Sequence, residues 1–146
     1  MKLHEPMPEL TGATGWLNGE VTRAELVGEK PTLIHFWSAS CDVCKETMPE
    51  VNALRDKHQG ELNILAVHMP LTPADQKKEK VTEEAEKAGI TQPIFIDGDL
   101  KLTDRFESQY APAYYVFDAE GRLRHYQAGR TAVSMVADRV EHVLGK

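Results

Sequence analysis

The sequence predicts an α/β fold with a mixed β-sheet, and three features carry that prediction. First, Thr32–Trp37 and Asn63–His68 are short, almost continuous apolar runs on either side of a helical stripe. They make a strand–helix–strand unit with parallel pairing and a right-handed crossover. Second, Ala113–Phe117 and residues 122–126 flank Asp118-Ala119-Glu120-Gly121, a turn with glycine where positive φ is needed. That is an antiparallel hairpin. Third, residues 131–144 place Val133, Val136, Ala137, Val140, Val143 and Leu144 on one helical face, so a closing helix ends the chain.

Taken in order, residues 1–30 are irregular, because Pro6, Pro8, Gly12, Gly15, Gly19 and Gly28 interrupt any long element. Thr32–Trp37 is a strand buried on both faces. Residues 42–58 form a helix, since Cys44, Met48, Val51 and Leu54 recur at three- and four-residue steps. Asn63–His68 is the second buried strand. Thr72-Pro73-Ala74-Asp75 has the form of a helix start, with an N-cap hydroxyl and proline at the first helical position. The helix predicted from it runs to Ala88, with a thin stripe of Ala74, Val81, Ala85 and Ala88, and with Gly89 as its C-cap. Mixed charges between Lys77 and Lys87 mark its solvated face. Residues 93–97 read as a strand and residues 100–107 as a short helix. No internal repeat or low-complexity linker divides the chain, so residues 1–146 are expected to be one domain, with a lead over 1–30 and a core over 31–144.

Composition excludes several function classes. Seventeen basic against twenty-three acidic residues give a net charge of −6, which argues against a nucleic-acid face and against anionic lipid. Hydrophobic residues at 41% and charged residues at 27% describe a folded globular chain, not a disordered one. No apolar run approaches the roughly 20 residues of a membrane span. The start, Met1-Lys2-Leu3-His4-Glu5-Pro6, lacks the apolar segment of a secretory signal. The expected location is therefore cytoplasmic as the chain stands, or extracytoplasmic if an export signal or anchor was trimmed.

Both cysteines lie in one C-x-x-C motif, Cys41 and Cys44. A disulfide between them closes too small a loop to restrict the unfolded chain much, so the pair serves chemistry or a metal. Around the motif stand further residues. Phe36-Trp37 end the preceding strand, Lys45 follows the second cysteine, Pro49 lies eight residues after the first, and Ala111-Pro112 precede the hairpin. With these residues the sequence resembles the thioredoxin-like thiol–disulfide oxidoreductases over about residues 31–144. Its longer lead, and the extra helical segment between His68 and Gln92, are most similar to the TlpA/ResA-like branch.

The resemblance implies a thioredoxin-like fold: a central mixed β-sheet flanked by helices on both faces. It implies an enzyme that reduces protein or peptide disulfides through a Cys41/Cys44 dithiol and a mixed-disulfide intermediate. Its only cofactor would be that redox-active disulfide, with no metal. A reductant protein would act as electron donor, and the chain would be a monomer. Ala111, Pro112 and Trp37 are implied as substrate-binding residues, with Pro112 in cis and Trp37 packing beneath the active-site loop. The sequence also departs from the family pattern. His35 stands where thioredoxins carry a buried aspartate, Ser40 where tryptophan usually precedes the first cysteine, and Leu71 about where ResA-like proteins place an acid.

Disulfide exchange needs a thiolate, and a cysteine at a helix N-terminus is stabilised as one by the backbone N–H groups aimed at its sulfur. Cys41 is therefore expected to attack and Cys44, one turn further in, to resolve. Asp42 beside the sulfur disfavours the thiolate and so favours a reducing protein. His35 is either a neutral core histidine bonded to a carbonyl or a proton relay to Cys44, and His68, at the carboxyl end of its strand, is a second relay candidate. Two other classes compete. Cys41 and Cys44 with His35 or His68 could hold zinc or copper, or the fold could serve as a non-catalytic peptide-binding scaffold.

Overall fold

A computed structural model describes residues 1–130 and 132–146. Along the chain run β1 (Gly15–Leu17), α1 (Arg23–Leu26), β2 (Thr32–Trp37), α2 (Asp42–Lys57) and β3 (Asn63–His68). A 3-10 turn (Pro73–Gln76) follows, then α3 (Lys78–Ala88), β4 (Ile94–Ile96), α4 (Lys101–Phe106), β5 (Ala113–Phe117), β6 (Leu123–Ala128) and α5 (Ala132–Val143). The strands form one sheet in the order β1-β4-β3-β2-β5-β6. β2 pairs with β3 in parallel and with β5 antiparallel, so the predicted parallel unit and hairpin share one mixed sheet.

Every residue of β2 is buried, which explains its unbroken apolar sequence: a central strand covered on both faces has no polar side. Its alternate residues feed two cores. Leu33 and Trp37, with Ala66, Ile94, Tyr114 and Val116, pack under α2, α3 and α5. Ile34 and Phe36, with Leu65, Val67, Phe95, Tyr115 and Phe117, pack against Leu102 and Phe106 of α4 and against the lead. The register sets the site. Trp37 is opposite His68, and Phe36 is opposite Ala113, so the exits of β2 and β3 and the entry of β5 meet at one edge.

Three expectations change. The lead is not irregular throughout. β1 pairs antiparallel with β4, Gly15 opposite Ile96, and Met7, Leu10 and Leu26 are buried in the second core. A three-residue strand and a four-residue helix are too short for a hydrophobic period to reveal, though Thr22 and Glu25 form the capping box of α1. The helix expected from Thr72 to Ala88 is two elements, because Lys77 adopts an extended φ of −82° and ψ of 120° between them. The break lets Asp75 and Val81, about 120° apart around a continuous helix, each be buried from its own element. Ala74, expected on the apolar stripe, is exposed instead. The start of the closing helix at Thr131 lies outside the described residues, and α5 is described from Ala132.

Gly121 ends the hairpin turn at φ +81°, and a Cβ there would fall 2.7 Å from Val27 Cγ2. Left-handed backbone costs a side-chain-bearing residue about 1–2 kcal/mol, and the contact adds to it. Gly121→Ala should therefore lose at least about 1 kcal/mol of stability. Equal urea midpoints for variant and parent would refute this account of the turn.

Candidate functional site

The chain leaves β2 at Trp37, crosses residues 38–40 and enters α2 with Cys41 as its N-cap. Cys41 and Cys44 are joined as a disulfide, with Cα atoms 5.3 Å apart. The Cys44 backbone N–H donates to Cys41 Sγ at 3.2 Å, so the sulfur takes the place of a capping oxygen. Cys41 is 9% exposed and Cys44 1%, which leaves the first sulfur at the surface and the second inside the helix. Ala111 O lies 3.6 Å from Cys41 Sγ, and the Ala111–Pro112 peptide bond is cis. Val43, Tyr110, Ala111, Pro112, Ala128 and Arg130 line a groove of about 530 Å³ beside the sulfur. Two ion pairs flank it, Lys45 with Glu84 at 3.1 Å and Arg130 with Glu46 at 3.2 Å.

Beneath this surface lie buried polar side chains. His68 Nε2 accepts from the Ala39 backbone N–H at 3.0 Å, and its ring meets Trp37 edge-on at 5.0 Å. Asp75 Oδ2 accepts from Ser38 Oγ at 3.1 Å and Ser40 Oγ at 2.6 Å. Burial pushes the Asp75 carboxyl up, but the hydrogen bonds from Ser40, Leu71, Thr72 and Ser38 outweigh it and hold the group well below the usual carboxylate range. Deeper on the same face of β2, Arg55 donates to Gln92 Oε1 at 2.8 Å, which turns the Gln92 amide nitrogen towards His35 Nε2 at 2.9 Å. The ring nitrogen is thus an acceptor, and the neutral imidazole carries its proton on Nδ1.

Comparison with known proteins agrees with this geometry. The model of the AhpC/TSA family matches residues 3–126. The chain belongs to the AhpC/TSA family. It is 60% identical over 146 residues to the thiol–disulfide oxidoreductase YkuV of Bacillus subtilis, covering all of this chain and 99% of the relative. ResA of Geobacillus thermodenitrificans, also a thiol–disulfide oxidoreductase, is 25% identical over 115 residues, or 78% of this chain and 63% of that protein. The solution structure of a thioredoxin-like protein in its oxidised form superposes with a TM-score of 0.92 at 60% identity, covering 99% of this chain and 98% of that one. The chain is accordingly a thiol–disulfide oxidoreductase with a thioredoxin-like fold and ResA-like relatives, and Cys41 and Cys44 are its C-x-x-C pair.

In this AhpC/TSA-family member the structure brings Cys41, Cys44, Ala111 and Pro112 to one surface but not the other residues singled out from the sequence. Trp37, grouped with the substrate contacts, is 1% exposed and packs on His68 beneath the loop. His35 and His68, singled out as candidate proton relays, both lie buried in the core. Each ring uses Nε2 as an acceptor within the core. Burial, with Arg55 adding to it, lowers the His35 pKa to about 3. Burial also lowers that of His68 to about 4 against the opposing pull of Asp75. Among the described residues no group of three or more His, Cys, Asp or Glu is placed to hold a metal ion. The sequence reading missed Asp75, whose only signal was the Thr72-Pro73-Ala74-Asp75 turn, and Gln92, which had none.

An unfolded histidine gains a proton below about pH 6.5, while native His35 stays neutral down to about 3 and His68 to about 4. Their contribution to stability is complete above pH 6.5 and is lost as pH falls towards those values. The slope is about 1.4 kcal/mol per pH unit for each ring. In His35→Leu, urea titrations from pH 6.5 to 4 should flatten by about one proton's worth. A variant with the parent's slope would show that His35 takes up its proton equally well in the folded state.

Proposed function

We propose that this oxidoreductase reduces disulfides in protein or peptide substrates, with Cys41 as attacking thiolate and Cys44 as resolving thiol. The Cys44 N–H aimed at Cys41 Sγ, with Cys44 itself buried, carries this reading. In the reduced protein that amide and the N-terminal end of α2 favour the Cys41 thiolate over the Cys44 one. Cys41 attacks one substrate sulfur, forms a mixed disulfide and releases the other sulfur as a thiolate. Cys44, once deprotonated, attacks Cys41 Sγ, closes the Cys41–Cys44 disulfide and releases the second substrate sulfur. Two electrons and two protons pass from the dithiol to the substrate. A dithiol protein then restores the reduced pair, so the cycle needs no other cofactor and one copy of the chain suffices.

Substrate would lie along the groove beside Ala111 and Pro112, where an extended segment can place its disulfide at the accessible sulfur. Asp42, exposed at the first position of α2, puts a carboxylate beside that sulfur and tilts the pair towards reduction. A reductase of this kind suits the cytoplasm, where thiols are kept reduced. An exported chain would do the same chemistry against a more oxidising surrounding.

Cys44→Ser keeps the attacking sulfur and removes the resolving one. It should accumulate mixed disulfides with substrate proteins, seen as high-mass bands that disappear on reduction, while Cys41→Ser should trap few or none. Equal trapping by both variants would contradict the assigned roles. Trapping by neither, with no reduction of insulin by the parent, would leave a peptide-binding scaffold.

A further inference from the structure

Each residue of the turn before Cys41 is tied to a side chain from outside it. Ser38 Oγ and Ser40 Oγ donate to Asp75 Oδ2, and the Ala39 N–H donates to His68 Nε2. The carboxylate is fixed from behind as well, since the same oxygen accepts from the Leu71 and Thr72 N–H groups, at 3.0 Å each. Its other oxygen lies 3.3 Å from Lys80 Nζ on α3. Asp75 is 1% exposed. A buried carboxylate is costly unless hydrogen-bonded and paired. Here four donors and a cation meet that need, and two of the donors belong to the turn that carries the nucleophile.

We propose that Asp75 is a positioning residue of the redox site, and that Asp75 and Lys80 are opposed charges setting the reducing power of the Cys41–Cys44 dithiol. This inference rests on the reducing function above. Ser40 directly precedes Cys41, and its hydroxyl is committed to Asp75, so it is not free to donate to the Cys41 sulfur. The carboxylate is hydrogen-bonded to the residue directly before Cys41, behind a buried turn where charge is poorly screened, and it disfavours the thiolate. Lys80 acts in the opposite sense. The other titratable group facing the carboxylate is His68 on β3, which is neutral, and Lys45 on α2 is engaged by Glu84. A less stable thiolate makes the dithiol give up its electrons more readily.

The two charges predict shifts of opposite sign, which a purely structural role would not produce. Asp75→Asn keeps the shape and an acceptor oxygen but removes the charge. Equilibrated against glutathione, it should be about tenfold more oxidising than the parent, or about 30 mV for this two-electron couple. Its Cys41 alkylation should extend to lower pH. Lys80→Gln, on a partly exposed helix face, leaves Asp75 uncompensated and should be several-fold more reducing, with alkylation displaced to higher pH. A potential for Asp75→Asn within twofold of the parent, or shifts of the same sign in both variants, would overturn the proposal. Should Asp75→Asn fail to fold, Lys80→Gln decides alone: a more reducing protein supports the proposal, and an unchanged or more oxidising one overturns it. A parent protein that does not equilibrate with glutathione at all would instead strike the reducing function itself.

Discussion

The contact between the Cys44 N–H and the Cys41 sulfur joins the architecture to the chemistry. A helix starts with amides that lack partners inside it, and a side-chain oxygen normally meets them. Here a sulfur does, so the group that reacts is also the group that caps α2. As a thiolate it makes a charge-assisted cap, and as half of a disulfide a weaker, neutral one. The strand order puts this cap at the sheet edge where β2 and β3 end and β5 begins. The Ala111 carbonyl and the groove face it there only because those three strands are adjacent.

Below the surface the protein uses polar groups that a purely apolar core would not contain, and it links several of them in chains. Arg55 orients Gln92, and Gln92 orients His35. Leu71 and Thr72 hold Asp75, and Asp75 holds two serines. The Asp75 chain reaches the redox turn itself, and the Arg55–Gln92 chain ends on the central strand at His35. Such networks favour one arrangement because an unpaired buried member costs about 1–3 kcal/mol. Positions of the two sulfurs are thereby specified by directional bonds as well as by packing.

Much of this was legible in the sequence, and the limits have physical causes. The strands of the parallel unit could be bounded to the residue, because an apolar run in a central strand is a strong local signal. The C-x-x-C pair, together with its flanking aromatic and proline residues, identified the redox surface. Partners at long sequence separation could not be seen. Asp75 carried only the signal of a local turn, and nothing near it indicated that its carboxylate would reach Ser38 and Ser40, 37 and 35 residues earlier. Nothing near His35 indicates its hydrogen-bond partner Gln92, 57 residues away. The strand in the lead was hidden for the same reason, since three residues have no measurable period and β1 is defined by its pairing with β4.

The lead also constrains the order in which the chain can become native. Several of its backbone partners come late: Gly15 pairs with Ile96, Met7 N–H donates to Gly121 O, and His4 N–H donates to Leu123 O. A growing chain leaves the ribosome from its amino end at about 5–20 residues per second. Residues 4–15 therefore wait several seconds, about one for every 5–20 of the hundred or so residues that follow, before these late partners exist. Meanwhile β2, α2 and β3, which are contiguous in sequence, can already assemble around the cysteines. Residues 4–15 are thus made before this parallel unit and docked after it, and until they dock, Met7 and Leu10 are missing from one core of the sheet.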